Sequence, residues 1–195
     1  GTMTWGSQNS QSDANRQIEI AMDNGINFLD TAEMYPTTTI SSKTQGDTER
    51  IIGNWLQETK KRSEIILATK ITGKGFKAIR NGEPISVSNL RPALEGSLKR
   101  LKTEYIDLYQ LHWANRGSYH FRQNWNYDPS GQEKQLDEFF NILSELDKFV
   151  KEGKIRTIGL SNETAWGTIQ FSNISKKNKF PEIVTIQNEY SLMCR

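Results

Sequence analysis

The chain has 195 residues, 35% of them hydrophobic and 25% charged, with a formal net charge of +2. That is enough apolar material for one core. The two signs of charge are interspersed, which excludes the basic groove of a nucleic-acid binder. No run of about eighteen apolar residues offers a membrane span, and the opening GTMTWGSQNS lacks the zones of a signal peptide. A lone cysteine, Cys194, allows no internal disulfide, and with only two histidines there is no metal-ligand pattern, so a reducing, cytoplasmic setting is expected.

In chain order, GTMTWG reads as the end of a strand, so a strand remnant is expected over Gly1 to Thr4. A helix follows, capped by Asp13, with Ala14, Ile18, Ala21 and Met22 on one face and Gly25 as its stop. INFLDT (26 to 31) is a strand, and a less cleanly amphipathic helix occupies about 47 to 60. EIILATK (64 to 70) is the next strand. Ser88 caps a helix in which Leu90, Leu94, Ser97, Leu98 and Leu101 share a face and Pro92 falls in the first turn. YIDLYQLH (105 to 112) leads to the helix of Leu136, Phe139, Phe140, Leu143, Leu146 and Val150, which stops at Gly153. KIRTIGLS (154 to 161), a helix at about 163 to 178 whose basic end holds Lys176, Lys177 and Lys179, and EIVTIQ (182 to 187) complete the series.

Strands alternating with helices imply a parallel sheet covered by helices, either an open doubly wound sheet or a closed eight-stranded barrel. The loops choose the barrel. No Gly-rich phosphate fingerprint follows the first strands, and the connections after strands (32 to 46, 71 to 87, 113 to 135) are long whereas those after helices are short, the asymmetry of a (β/α)8 TIM barrel. Residues 1 to 195 are therefore expected to form one barrel domain cut at both ends, with strands one to six present and seven and eight missing. Such an incomplete barrel is expected to have little or no activity alone.

Alternation along the strands places Ile26, Phe28 and Asp30 on one face, as it does Ile66, Ala68 and Lys70, and Leu108, Gln110 and His112. Each strand thus ends in a polar group facing inward, and Tyr35 follows five residues after Asp30. A lysine near a phenol stabilises the phenolate and lowers its pKa, and a carboxylate paired to that lysine keeps it charged. The pattern is that of a proton donor usable near neutral pH.

NGINFLDTAEMY, IILATK and DLYQLHW, in this order, resemble the strand ends that carry the Asp, Tyr, Lys and His of the aldo-keto reductase family. GKIRTIGLSNE and VTIQNEYSL are similar to its next two strand ends, and KTQGDTERIIGNWL adds a likeness to its Tas-like bacterial branch. The resemblance covers the whole chain. It implies a reductase that passes a hydride from NADP(H) to a small-molecule carbonyl, with Tyr35 as general acid, Lys70 as the group that lowers its pKa, Asp30 as the partner of Lys70, and His112 orienting the carbonyl oxygen. It also implies that Ser161, Asn162 and Gln187 fix the nicotinamide, that Thr2, Met3 and Asp30 lie along the cofactor, and that Tyr35, His112 and Trp113 face the substrate. The loops that bind the adenosine 2'-phosphate in that family follow strands seven and eight.

Other readings stay open at this level. Asp30 and Lys70 form a structural ion pair in one, His112 is a core histidine, and Ser161 and Asn162 cap the helix that starts near Glu163. The aromatic stretch with Tyr119, Phe121, Trp125 and Tyr127 is a substrate wall, a partner surface or a loop packed on itself; His120 has no assigned role. The whole could also be a cofactor-binding regulatory module of the same fold without significant turnover, or a Schiff-base aldolase with Lys70 as the amine. Oligomeric state is not legible.

Overall fold

A computed structural model describes residues 1–38, 40–121, 123 and 125–193, so Cys194 lies outside the described residues. Among the described residues five strands, β1 (Phe28–Asp30), β2 (Ile66–Ile71), β3 (Ile106–Leu111), β4 (Ile155–Ser161) and β5 (Ile183–Gln187), pair in sequence order, and every pair is parallel. Five helices alternate with them: α1 (Gln11–Asp23), α2 (Asp47–Thr59), α3 (Val87–Leu101), α4 (Leu136–Lys151) and α5 (Ala165–Asn178). Strand order equal to chain order means that each crossover advances the sheet in one direction, and the result is an incomplete (β/α)8 barrel. No helix among the described residues is long and apolar enough to cross a membrane.

The period of two along the strands divides the molecule. Leu67, Ile71, Tyr109, Leu111, Ile158 and Leu160 join the main core, where they meet Ile52, Trp55, Leu94, Leu143, Phe149 and Phe171 from the helices. Burying one such aliphatic side chain contributes about 1.5 to 3 kcal/mol. The alternate residues, among them Ala68, Lys70, Leu108 and Gln110, take the inner face. A smaller cluster of Ala32, Met34, Tyr35 and Ile79 sits at the C-terminal ends of β1 and β2.

Several expectations change. Gly1 to Thr4 is no strand, because the Thr4 carbonyl accepts from Ser7, Gln8 and Asn9, and Gly6, at φ 95°, closes the turn. The cap of α1 is Ser10: its hydroxyl accepts from the Asp13 amide while the Asp13 carboxylate accepts from the Ser10 amide, a capping box in which Asp13 is the third residue. Helix α3 begins at Val87 rather than after Ser88, so Pro92 falls in the second turn. Thr164, not Ser161 or Asn162, caps α5 by accepting from the Gly167 amide at 3.1 Å.

Of the two helices expected to be less cleanly amphipathic, α5 is so and α2 is not, since α2 buries Ile51, Ile52, Trp55 and Leu56 on one side. The buried face of α2 includes Glu49, whose carboxylate takes the Thr69 hydroxyl and the Arg100 guanidinium, each at 2.6 Å. The buried positions of α5 are Gly167, Phe171 and Ser175, two of them too small or polar to register as an apolar stripe.

Candidate active site

The C-terminal ends of the strands carry a cavity of about 1120 Å³, whose lining includes Met3, Tyr35, Lys70, His112, Trp113, Ser161, Asn162 and Gln187. Parallel pairing explains the convergence: Asp30 is opposite Ala68 and Lys70 is opposite Gln110, so each successive strand carries its last inward residue two positions further along, and all of them emerge at the same C-terminal edge of the sheet. Lys70 is only 1% exposed. Its ammonium makes an ion pair with Asp30 Oδ1 at 2.8 Å, donates to the Thr31 carbonyl at 2.8 Å, and lies 5.1 Å from the centroid of the Tyr35 ring. The Tyr35 and His112 rings meet edge to face at 5.8 Å, and His112 is tilted against Trp113 at 4.8 Å.

Burial lowers the pKa of Lys70, opposed by the Asp30 carboxylate and by Glu49. Burial lowers that of His112 well below the usual imidazole value, and the Lys70 charge adds to it, so the ring is neutral near pH 7. His112 Nδ1 is buried with no hydrogen-bond partner among the described residues. The phenol of Tyr35 moves upward, first through burial and then through the Asp30 carboxylate. This is opposite to the lowering expected from a nearby lysine. Burial of the phenol is the larger cause, and the Asp30 carboxylate, which also pairs with Lys70 at 2.8 Å, adds to it.

The remaining residues of the sequence reading divide. Ser161, Asn162 and Gln187 face the cavity together; Asn162, in the left-handed region at φ 49°, donates to the His112 carbonyl and to Ser161 Oγ, each at 3.0 Å. Gln187 Nε2 approaches Asp30 Oδ2 at 3.4 Å, and its amide oxygen accepts no bond from the described residues. A hydroxyl and two amides side by side supply the donors and acceptors that a carboxamide needs, so this part of the site fits the nicotinamide end of a dinucleotide. Thr2 is placed differently. Its hydroxyl donates to the Asp30 carbonyl at 2.8 Å and is buried behind the site, outside the cavity lining. Asp30 likewise works from behind Lys70 and does not line the cavity.

The aromatic loop both packs on itself and forms a wall. Tyr119 contacts Tyr127 edge to face at 5.7 Å, and Phe121 contacts Trp113 at 6.0 Å and lines the cavity, whereas Trp125 is 97% exposed. His120 lines the same cavity, with Nε2 3.1 Å from the Glu163 carbonyl. Two residues had no role assigned from the sequence, although Gln110 was already placed inward. Gln110, 2% exposed, donates to Asp30 Oδ1 at 3.4 Å, and its inward place in DLYQLH was the available signal. Phe76, edge to face with Trp113 at 5.4 Å, had no signal beyond its position in a long loop. As an amine nucleophile Lys70 would have to break both of its bonds, which weighs against the aldolase reading.

Comparison with known proteins gives the family. The chain is 43% identical over 199 residues to Protein tas of Escherichia coli, covering 100% of this chain and 56% of that protein. It is 34% identical over 202 residues to the uncharacterized oxidoreductase YrpG of Bacillus subtilis, covering 100% and 54%. With norsolorinic acid reductase A of Aspergillus parasiticus the identity is 26% over 204 residues, covering 98% and 45%. The chain thus spans about half the length of these curated relatives. The model of the aldo/keto reductase family matches residues 1–195, and the chain belongs to that family.

Proposed function

We propose that this chain carries the proton-donating and nicotinamide-facing parts of an NADP(H)-dependent cytoplasmic oxidoreductase that reduces an aldehyde or ketone to an alcohol. One observation carries the reading: Tyr35, Lys70 and His112 meet in a single cavity whose lining also presents Ser161, Asn162 and Gln187. Names of relatives that include "reductase" and "oxidoreductase" support the reaction class. NADP(H) over NAD(H) rests on the family alone.

When bound, the reduced nicotinamide supplies the hydride. Tyr35 Oη gives the proton to the carbonyl oxygen, and its raised pKa keeps it loaded at neutral pH. As the proton leaves, the Lys70 ammonium stabilises the phenolate left behind, and Asp30 holds that ammonium in place. Neutral His112 donates a hydrogen bond that orients the carbonyl oxygen. Trp113, Phe76 and Met34 line the approach and exclude water. Ser161, Asn162 and Gln187 would hold the carboxamide of a bound nicotinamide, and Met3 lines the same cavity.

The test is Tyr35→Phe in the full-length protein. Aldehyde-dependent oxidation of NADPH should fall by about 100-fold or more, while NADPH affinity measured by fluorescence stays within about twofold, because the phenol acts only on the proton in flight. Unchanged turnover defeats the proposal. Running the parent with NADH in parallel checks the cofactor preference.

A further inference from the structure

Beyond β1 the chain turns away at Tyr35, whose amide donates to the Ala32 carbonyl at 3.1 Å. The ladder between β1 and β2 continues as far as the bond from the Glu33 amide to the Lys70 carbonyl at 3.1 Å. One residue past the end of β2, Thr72 therefore has no strand to meet on that side. Its amide is taken by the carboxylate of Glu33, and its carbonyl accepts from Arg80 Nη2 at 2.7 Å. The same guanidinium places Nη1 2.6 Å from both oxygens of Glu33. Glu33 is 2% exposed, and neither it nor Arg80 lines the cavity.

Arg80 reaches this position from the middle of the loop after β2, where three successive residues, Arg80, Asn81 and Gly82, all take positive φ (44°, 56° and 77°). Two successive non-glycine residues in the left-handed region are unfavourable unless the surroundings hold them. The loop is closed by the Gly75 amide on the Gly82 carbonyl at 3.0 Å, and it delivers Ile79 against Tyr35 and Met34, and Phe76 against Trp113. A buried carboxylate thus finishes the hydrogen bonding of the strand that carries Lys70, two residues before Tyr35, and anchors the loop that packs on Tyr35.

We propose that Glu33, clamped by Arg80, is a positioning residue that fixes the Tyr35 phenol relative to Lys70 and His112 and holds the loop that backs it. The inference rests on the reading of Tyr35 as the acid. It adds that the carboxylate two residues away sets the geometry of proton transfer without touching substrate.

The test uses Glu33→Gln and Arg80→Lys in the full-length protein, with Tyr35→Phe as reference. Glu33→Gln keeps an acceptor for the Thr72 amide but removes the charge that holds the guanidinium fork, and a displacement of the phenol by a fraction of an ångström should lower kcat about tenfold. The rate is expressed per NADPH-binding site, with NADPH affinity within about twofold of the parent, so loss of folded protein cannot imitate the effect. The solvent deuterium isotope effect on kcat should rise, because proton delivery becomes the slower event; a purely structural role would leave it unmoved. Arg80→Lys, which keeps the charge and loses the fork, should lower kcat by a smaller factor, about threefold, and it decides the matter if Glu33→Gln fails to fold. A per-site kcat within twofold of the parent in the folded variants, or a lower rate with an unmoved isotope effect, overturns the clamp. If Tyr35→Phe itself keeps its turnover, the reading of the acid has failed instead.

Discussion

Replacing Lys70 by Met tests how the charge at the centre of the site is supported. The substitution removes an ion pair at 2.8 Å and a donor to the Thr31 carbonyl at 2.8 Å, and leaves Asp30, its side chain 14% exposed, facing only the Gln110 and Gln187 amides at 3.4 Å. Those amides are beyond the distance of a good N–H to O bond. Removing one partner of a buried pair costs about 3 to 5 kcal/mol because the other charge stays buried, and the partial exposure of Asp30 puts the loss near the lower end, about 3 kcal/mol. Lys70→Met combined with Asp30→Asn leaves no charge unanswered, so the double variant should lose only about 1 kcal/mol, the remainder appearing as coupling between the sites. Urea unfolding of the full-length protein, with the slope held in common, measures all of this through the midpoints. A single-variant loss below about 1 kcal/mol, or a double variant as unstable as the sum of the singles, would show that Lys70 and Asp30 do not depend on each other.

His112 makes a pH prediction. Its folded-state pKa is depressed by burial and then by Lys70, so below pH 6.5 the unfolded chain binds a proton that the folded chain does not, and stability falls as pH falls. Between pH 6.5 and 5.5 the parent should lose about 1 kcal/mol more than His112→Gln, read from denaturation at the two pH values; parallel curves would refute it. At Gly73 an added Cβ would come within 2.8 Å of Trp113 Cε2, so Gly73→Ala should displace the indole and raise the carbonyl KM several-fold, with a shifted tryptophan emission as a direct check. Gly53 lies against the end of α3, where a Cβ would fall 2.8 Å from the Leu101 carbonyl carbon and closer still to the Arg100 carbonyl oxygen. Overpacking against backbone costs about 3 kcal/mol at its upper range and the gain in helix propensity returns about 1, so Gly53→Ala should be about 2 kcal/mol less stable by urea unfolding.

What the sequence disclosed was what depends on short-range periodicity. The alternation in IILATK and DLYQLH placed Lys70 and His112 inward without any tertiary information, and parallel pairing in chain order brought both to the edge of one cavity. The exact starts of helices were less legible, because Ser10 and Asp13 are both good caps and only the reciprocal bonds decide between them. Gly1 to Thr4 misled for a related reason: GTMTWG has the composition of a strand end, but a turn around Thr4 satisfies its hydrogen bonds locally. The Asp30–Lys70 pair, far apart in the chain, was legible through the resemblance, whereas long-range contacts outside those strand ends were invisible. Glu33 and Arg80 lie 47 residues apart, and nothing near either announces the other.

The contrast between expected and observed electrostatics at Tyr35 bears on how such a site works. A lysine beside a phenol suggests a phenol that ionises easily, yet here burial of the phenol raises its pKa, and the carboxylate that holds Lys70 in place raises it further. For an acid that must be protonated at the start of each turnover, the raised value is no obstacle, since a phenol ionised at rest has no proton to give. In the proposed reaction the Lys70 charge matters when negative charge develops on the phenol oxygen, and at that moment an ammonium already desolvated and fixed needs no reorganisation. The ion pair would therefore act on the transition state far more than on the resting phenol. Lys70→Met should then lower kcat without making the resting Tyr35 easier to ionise, and a titration of the tyrosine absorbance in parent and variant separates the two effects.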